Sequence, residues 1–401
     1  MQTVGFVPEC QTSIGEFRVA VMGLYAGVGA PIDSPQEVSR TFGLDKNLTW
    51  KLARVMGTDD TSEALHHLPG ANAIKILLRA MKQAGADASA LERVRVAYAE
   101  IGRVVEVHVG DRSTLELVLD GLAQNGQERL EVSRKIAFRG NSGVWGVQAK
   151  AKVTVAVLAP NADDPSTLDS AFVRGYVGFR RLRSEMSWPL SVNRNWKGEG
   201  KPADARWTPL VPEDVENGLP LLHEFTTEQR PVFTQVQTQH GMYYMLPPGP
   251  VGNTAAFDCF FGDLTRGDVP RYCTEEDRSG EFTSVISVPI EHQLLDLLVH
   301  RDLAEGFRPE AYVFGDPLGG QGFGSADQSH CILPIEETVR QLPGSPPITV
   351  TPVYSRYAEM VEMVYARAGW NPADFVGYRL MVKYPPMGTS VSVRFGLPER
   401  P

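Results

Sequence analysis

Residues 34–56 read SPQEVSRTFGLDKNLTWKLARVM, and this stretch decides the organisation of the N-terminal third of the chain. Ser34 is a candidate N-cap, Pro35 suits the first helical position, and Glu37 completes a capping box. The first helix then runs to about Phe42. Gly43 takes the bend, because a residue without Cβ accepts a positive φ. Asp45 caps the next helix, where Leu48, Leu52 and Val55 fall at i, i+4 and i+7 and face the first helix. Two short helices crossing through such a turn are a framework that can present the second helix to a DNA major groove.

The preceding segment supplies a third helix. Ser13 and Glu16 form a capping box, and Phe17, Val21 and Leu24 make an apolar stripe at helical spacing. The helix is expected to end near Gly27 or Gly29, with Pro31 just beyond.

Over residues 13–56 the chain resembles the helix-turn-helix of bacterial transcriptional regulators. Counted from Pro35, the pattern asks for an apolar fourth residue (Val38), a small fifth (Ser39) and an apolar eighth (Phe42). It then asks for a glycine ninth (Gly43), an apolar tenth (Leu44) and an apolar eighteenth (Leu52). The fifteenth, usually β-branched and apolar, is Thr49, which keeps the branch and adds a hydroxyl. The resemblance implies base-reading positions at Lys46, Asn47, Trp50 and Lys51, with Arg54 one turn further along and Arg40 and Arg54 neutralising phosphates. Trp50 departs from the usual groove-facing residues, and burial against a neighbouring element is the other reading of it.

Charge permits this function without arguing for it. The 401-residue chain has a formal net charge of −9, which opposes nonspecific adhesion to nucleic acid. Within 34–56, Arg40, Lys46, Lys51 and Arg54 stand against Glu37 and Asp45, a local surplus of positive charge. With 42% hydrophobic and 22% charged residues, the chain is ordinary globular material. No apolar run is long enough to span a bilayer, and the opening MQTVGFVPECQTSIGEF has neither a basic nor an apolar leader region. Four scattered cysteines without a CxxC pair suit reduced thiols, so a cytoplasmic protein without membrane contact is expected.

Beyond the helix-turn-helix, ANAIKILLRAMKQAGA (71–86) and Ser89–His108 read as helices, and Ser113 with Glu116 opens a short one through Leu122. His66-His67 falls in a polar connector. The texture changes near Arg139. Trp145 to Val157 alternates like a strand, and Phe172–Leu182, Val232–Val236, Tyr243–Leu246, Ala255–Phe261 and Phe282–Val288 follow in the same style. Ile290–Asp302 and Tyr354–Ala368 read as helices, and Phe375–Tyr384 with Val391–Phe395 as a closing hairpin around PPMGT. The expected fold is α+β: an all-helical domain over 1–125, then a larger, strand-rich α+β domain over 126–401, in which strand-then-helix runs at 282–302 and 348–368 hint at two similar halves.

Chemical signatures are weak in that larger domain. His300-Arg301-Asp302 imitates the opening of a kinase catalytic loop, but Phe307 stands where an asparagine is required. The glycine-rich run Gly319–Ser325 lacks the Lys-Ser/Thr of a phosphate cradle and reads as a loop, at most a lid over a ligand site. His292, His300, His330 and Cys331 lack metal-ligand spacing, so neither metal nor cofactor is expected. Arg174 to Arg183 with Lys150 and Lys152 could form a basic face, although strand alternation divides such a group between two sides. The expected function is a DNA-binding transcriptional regulator, dimeric, with a C-terminal domain for effector sensing or assembly. The alternative is a non-enzymatic structural or interaction protein whose helical unit docks a partner subunit.

Overall fold

The structure, a computed structural model, describes residues 5–111, 114–115, 118–119, 126–193, 207–238, 241–275, 278–315 and 332–400. The fold class is α+β, with a helical N-terminal region and a strand-rich C-terminal one. Contacts divide the chain into two compact units, Met1–Leu130 and Glu131–Pro401.

In the first unit α1 (Phe6–Gly27), α2 (Pro35–Phe42), α3 (Lys46–Gly57), α4 (Thr61–His66), α5 (Ala71–Gln83) and α6 (Ala88–His108) close around one apolar core. Phe17, Val21 and Leu24 of α1 meet Val38 of α2, Leu48, Leu52 and Val55 of α3, Leu77 of α5 and Ile101 of α6 there. Removing Leu52 and Val55 completely from water contributes about 1.5–3 kcal/mol each. Two expected capping boxes are absent. α1 starts seven residues before Ser13, whose hydroxyl instead donates to the Glu9 carbonyl at 2.9 Å. Ser34 does precede α2, but its carbonyl, not its hydroxyl, receives the Glu37 N–H at 3.0 Å. Ser113 and Glu116 lie outside the described residues. Of the two histidines expected in a connector, His66 is instead the last residue of α4 and His67 its C-cap; Asp60 caps the start of α4 by accepting from the Ser62 and Glu63 N–H groups at 2.7 and 3.3 Å.

The second unit is built on a seven-stranded sheet. In chain order the strands are β1 (Val147–Pro160), β2 (Thr167–Arg181), β3 (Trp188–Asn193), β4 (Trp207–Pro209), β5 (Val215–Glu216), β6 (Leu219–Pro220), β7 (Thr234–Thr238) and β8 (Gly241–Leu246). They continue as β9 (Phe257–Pro270), β10 (Ser279–Val285), β11 (Ile290–His300), β12 (Glu310–Phe314), β13 (Arg340–Gln341), β14 (Phe375–Lys383) and β15 (Ser390–Gly396). The large sheet runs β13-β14-β11-β1-β2-β9-β4, and β10-β15-β12 and β3-β8-β7 form smaller sheets. α7 (Gly126–Trp145) precedes β1, and the long strand expected from Trp145 begins only after Gly146 turns the chain at φ 70°. The short α8 (Arg301–Ala304) follows β11, and α9 (Tyr357–Ala368) precedes β14.

Both faces of the large sheet are buried. Val153, Val155 and Val157 of β1 pack with Leu294, Leu298 and the α9 side chains Tyr357, Met360, Val361 and Val364. On the other face Ala156 and Leu158 join a core shared with Val391, Val393, Trp188 and Leu246 of the smaller sheets. Strands approach closely at Gly175, where an added Cβ would stand 2.3 Å from the Cys259 carbonyl oxygen.

That two-sided burial explains the main correction. Ile290–Asp302 is not a helix: residues 290–300 form β11, parallel to β1 and antiparallel to β14. A central strand covered on both faces shows a continuously buried, largely apolar run, QLLDLLV, whose periodicity does not separate it from a buried helix. The strand-then-helix repeat expected over 282–302 is therefore absent. The closing hairpin is absent too, since β14 lies in the large sheet while β15 pairs with β10 and β12. The loop 319–325 and residues His330 and Cys331 lie outside the described residues.

Candidate nucleic-acid interface

α2, Gly43 and α3 meet through a short, fully bonded turn. Gly43 sits at φ 63°, ψ 31°, the left-handed conformation that closes a helix cheaply only with glycine. The Ser39 hydroxyl donates to the Leu44 carbonyl at 2.7 Å, which accounts for a small polar residue at a buried position. Asp45 caps α3, its carboxylate accepting from the Asn47 and Leu48 N–H groups at 2.9 and 3.3 Å. Thr49 is buried, and its hydroxyl donates to the Lys46 carbonyl at 3.1 Å, so the departure from an apolar residue leaves no unpaired group. At the other end Arg18 of α1 donates to the carbonyls of Val55, at 2.7 Å, and Thr58.

With Leu48, Thr49, Leu52 and Val55 inward, the opposite side of α3 faces solvent. Lys46, Asn47, Trp50 and Arg54 are exposed there, and Lys51 is half-buried beside them. Arg40 is exposed in the last turn of α2. Trp50 is 43% exposed rather than inserted into the core. Its ring holds the Arg54 guanidinium 5.2 Å from its centroid and meets the His67 ring edge-on at 5.2 Å. His67 therefore adjoins the α3 surface, and the His66 ring lies 5.4 Å from that of His67. A cleft of about 460 Å³ beside it is lined by Pro35, Trp50, Arg54, Thr58 and Glu63, among others. Glu63 is fixed by the Thr58 hydroxyl at 2.6 Å and lies 3.9 Å from Arg54, a solvent-exposed pairing worth at most about 1 kcal/mol. Burial, with the nearby His66, Arg54 and Lys51 cations, lowers the His67 pKa from its ordinary value against the opposing pull of Glu63.

All six residues expected at the interface thus lie on α2 and α3, five exposed and one half-buried. His66 and His67 were missed as neighbours of this surface. The readable signal was Asp60 preceding Glu63 by three residues, an N-terminal helix signature.

The arginines of 174–183 do not make a common basic face. Arg174 pairs with Asp263 at 2.9 Å, Arg181 is buried and donates to the Pro247 carbonyl, and Arg183 donates to the Gly143 carbonyl at 2.6 Å at the end of α7. In the same unit His223 stands between Asp214 (3.2 Å) and Glu216 (2.8 Å), and Arg230 meets Glu216 at 3.2 Å. Burial, with the Arg174 charge, pulls the Lys152 ammonium down to about 7, and its Nζ donates to the Val285 carbonyl. Among the described residues no group of three or more His, Cys, Asp or Glu side chains is placed to hold a metal ion. Nor, among them, is any helix long and apolar enough to cross a membrane. Comparison with protein-family models, curated proteins and solved structures produced no match to this chain.

Proposed function

We propose that the protein is a cytoplasmic DNA-binding transcriptional regulator that acts as a homodimer, docking α3 in a major groove while the α+β unit senses an effector or mediates assembly. The observation that carries this reading is the solvent-facing side of α3, where Lys46, Asn47, Trp50 and Arg54 project together from a helix rigidly tied to α2. Lys and Arg there meet phosphates or guanine edges, and the Asn47 amide suits adenine. Arg40 and the half-buried Lys51 extend the cationic border. A local face of this kind suffices although the whole chain is acidic, because the phosphate contacts act within a Debye length of about 8 Å at physiological salt.

A second reading has its own observation. On the outer sides of α1 and α6, Val19, Met22, Val96 and Val107 are exposed, and an apolar helix face of this sort suits docking of a partner subunit. Trp50 separates the two. Titrating a short random-sequence duplex should quench a component of tryptophan emission that is missing in Trp50→Phe. Emission indifferent to duplex, with no retarded complex on a gel, would leave the interaction reading in its place.

A further inference from the structure

The surface around Trp50 continues onto α4. His67 caps that helix and stands against the Trp50 ring, His66 stands against His67, and Lys51 and Arg54 are near enough for their charges to act on His67. Of the charges felt by His67, those of Lys51 and Arg54 on α3 and His66 on α4 are cationic, and Glu63 on α4 is the opposing carboxylate. Arg54 and His67 both lie on the Trp50 ring, and with His66 and Lys51 near His67 these potential cations repel one another until an anion enters among them. We propose that His66 and His67 form the proton-linked half of the nucleic-acid face, so that backbone phosphate binding at Lys51 and Arg54 is coupled to imidazole protonation. This rests on the DNA-binding reading and specifies how that surface is regulated.

The sign follows from the charges. In the free protein, burial and the neighbouring cations disfavour a positive charge on His67. A phosphate placed against Lys51 and Arg54 replaces repulsion with attraction and favours the imidazolium. Binding therefore takes up protons, and affinity rises as pH falls through the ordinary histidine range.

Fluorescence anisotropy with a fluorescein-labelled random-sequence duplex, at constant ionic strength and with the full-length protein, tests the coupling. Between about pH 8 and about pH 5.5 the wild-type affinity should rise about tenfold, the yield of one imidazole that binding makes about tenfold easier to protonate. His66→Gln/His67→Gln should bind like wild type at the alkaline end and lose that rise. Because His67 is partly packed, the exposed His66→Lys serves as a second variant: a permanent charge there should strengthen binding at the alkaline end. A rise that survives the double substitution, or a flat wild-type profile with binding intact, overturns the coupling and spares the DNA-binding reading. Absence of binding at every pH overturns both.

Discussion

Reversing one charge on α3 should change how binding responds to salt, by an amount the structure sets. Arg40, Lys46, Lys51 and Arg54 offer at most four phosphate contacts per protomer. Each contact contributes about 0.9 to the slope of log affinity against log salt, so the wild-type slope should approach about −3.6 per protomer. Raising salt fourfold would then weaken binding by roughly 150-fold. Lys51→Glu removes one contact, and the slope should fall to about −2.7 while affinity drops uniformly across DNA sequences. Lys51 is half-buried and stands outside the apolar core, which Leu48, Leu52 and Val55 fill. The fold should therefore persist, which circular dichroism and an unchanged Tm would verify. Anisotropy titrations at four salt concentrations measure the slopes directly. A wild-type slope near zero, or identical slopes in the two proteins, would refute the assignment of this face to nucleic acid.

Two further outcomes test the framework beneath the interface. Gly43→Ala places a Cβ where nothing lies within 4 Å, so its cost is conformational alone: about 1–2 kcal/mol of unfolding free energy for holding an L-residue at φ 63°, measured by urea denaturation. In the second unit Asp296 is wholly buried on β11, accepts from Arg379 at two points of 2.8 Å and from the Tyr357 hydroxyl at 2.7 Å. Burial pushes the Asp296 carboxyl up from its ordinary pKa, and Arg379 and Tyr357 hold it back. Asp296→Asn leaves the Arg379 charge without its partner and should cost about 3–5 kcal/mol, with loss of the near-ultraviolet signal at lower denaturant.

What could be read in advance was whatever depends on short-range periodicity and local chemistry. Helix α3 was legible because Asp45 offers a cap, Gly43 a left-handed bend, and Leu48, Leu52 and Val55 a repeat of one turn. The exposed positions Lys46, Asn47 and Arg54 followed from the same repeat, since the side opposite an apolar stripe faces water, whereas the sequence left Trp50 open between exposure and burial. Local signals also misled at the caps: Ser13 offers the right side chain, but α1 begins earlier and absorbs it.

Long-range pairing belonged to the tertiary structure. β14 and β15 both read as strands and flank a turn sequence, yet each finds its hydrogen-bond partners in a different sheet. β11 carries a run of apolar residues that satisfies helix and buried strand alike, and only its position between β1 and β14 decides. The same holds for the neighbourhood of Trp50. Helical spacing puts that residue opposite the apolar stripe, whereas its partial exposure and the approach of His67 from α4 depend on how two helices pack. Periodicity constrains which side of an element is buried; the element that covers it is chosen by the free energy of the whole assembled core.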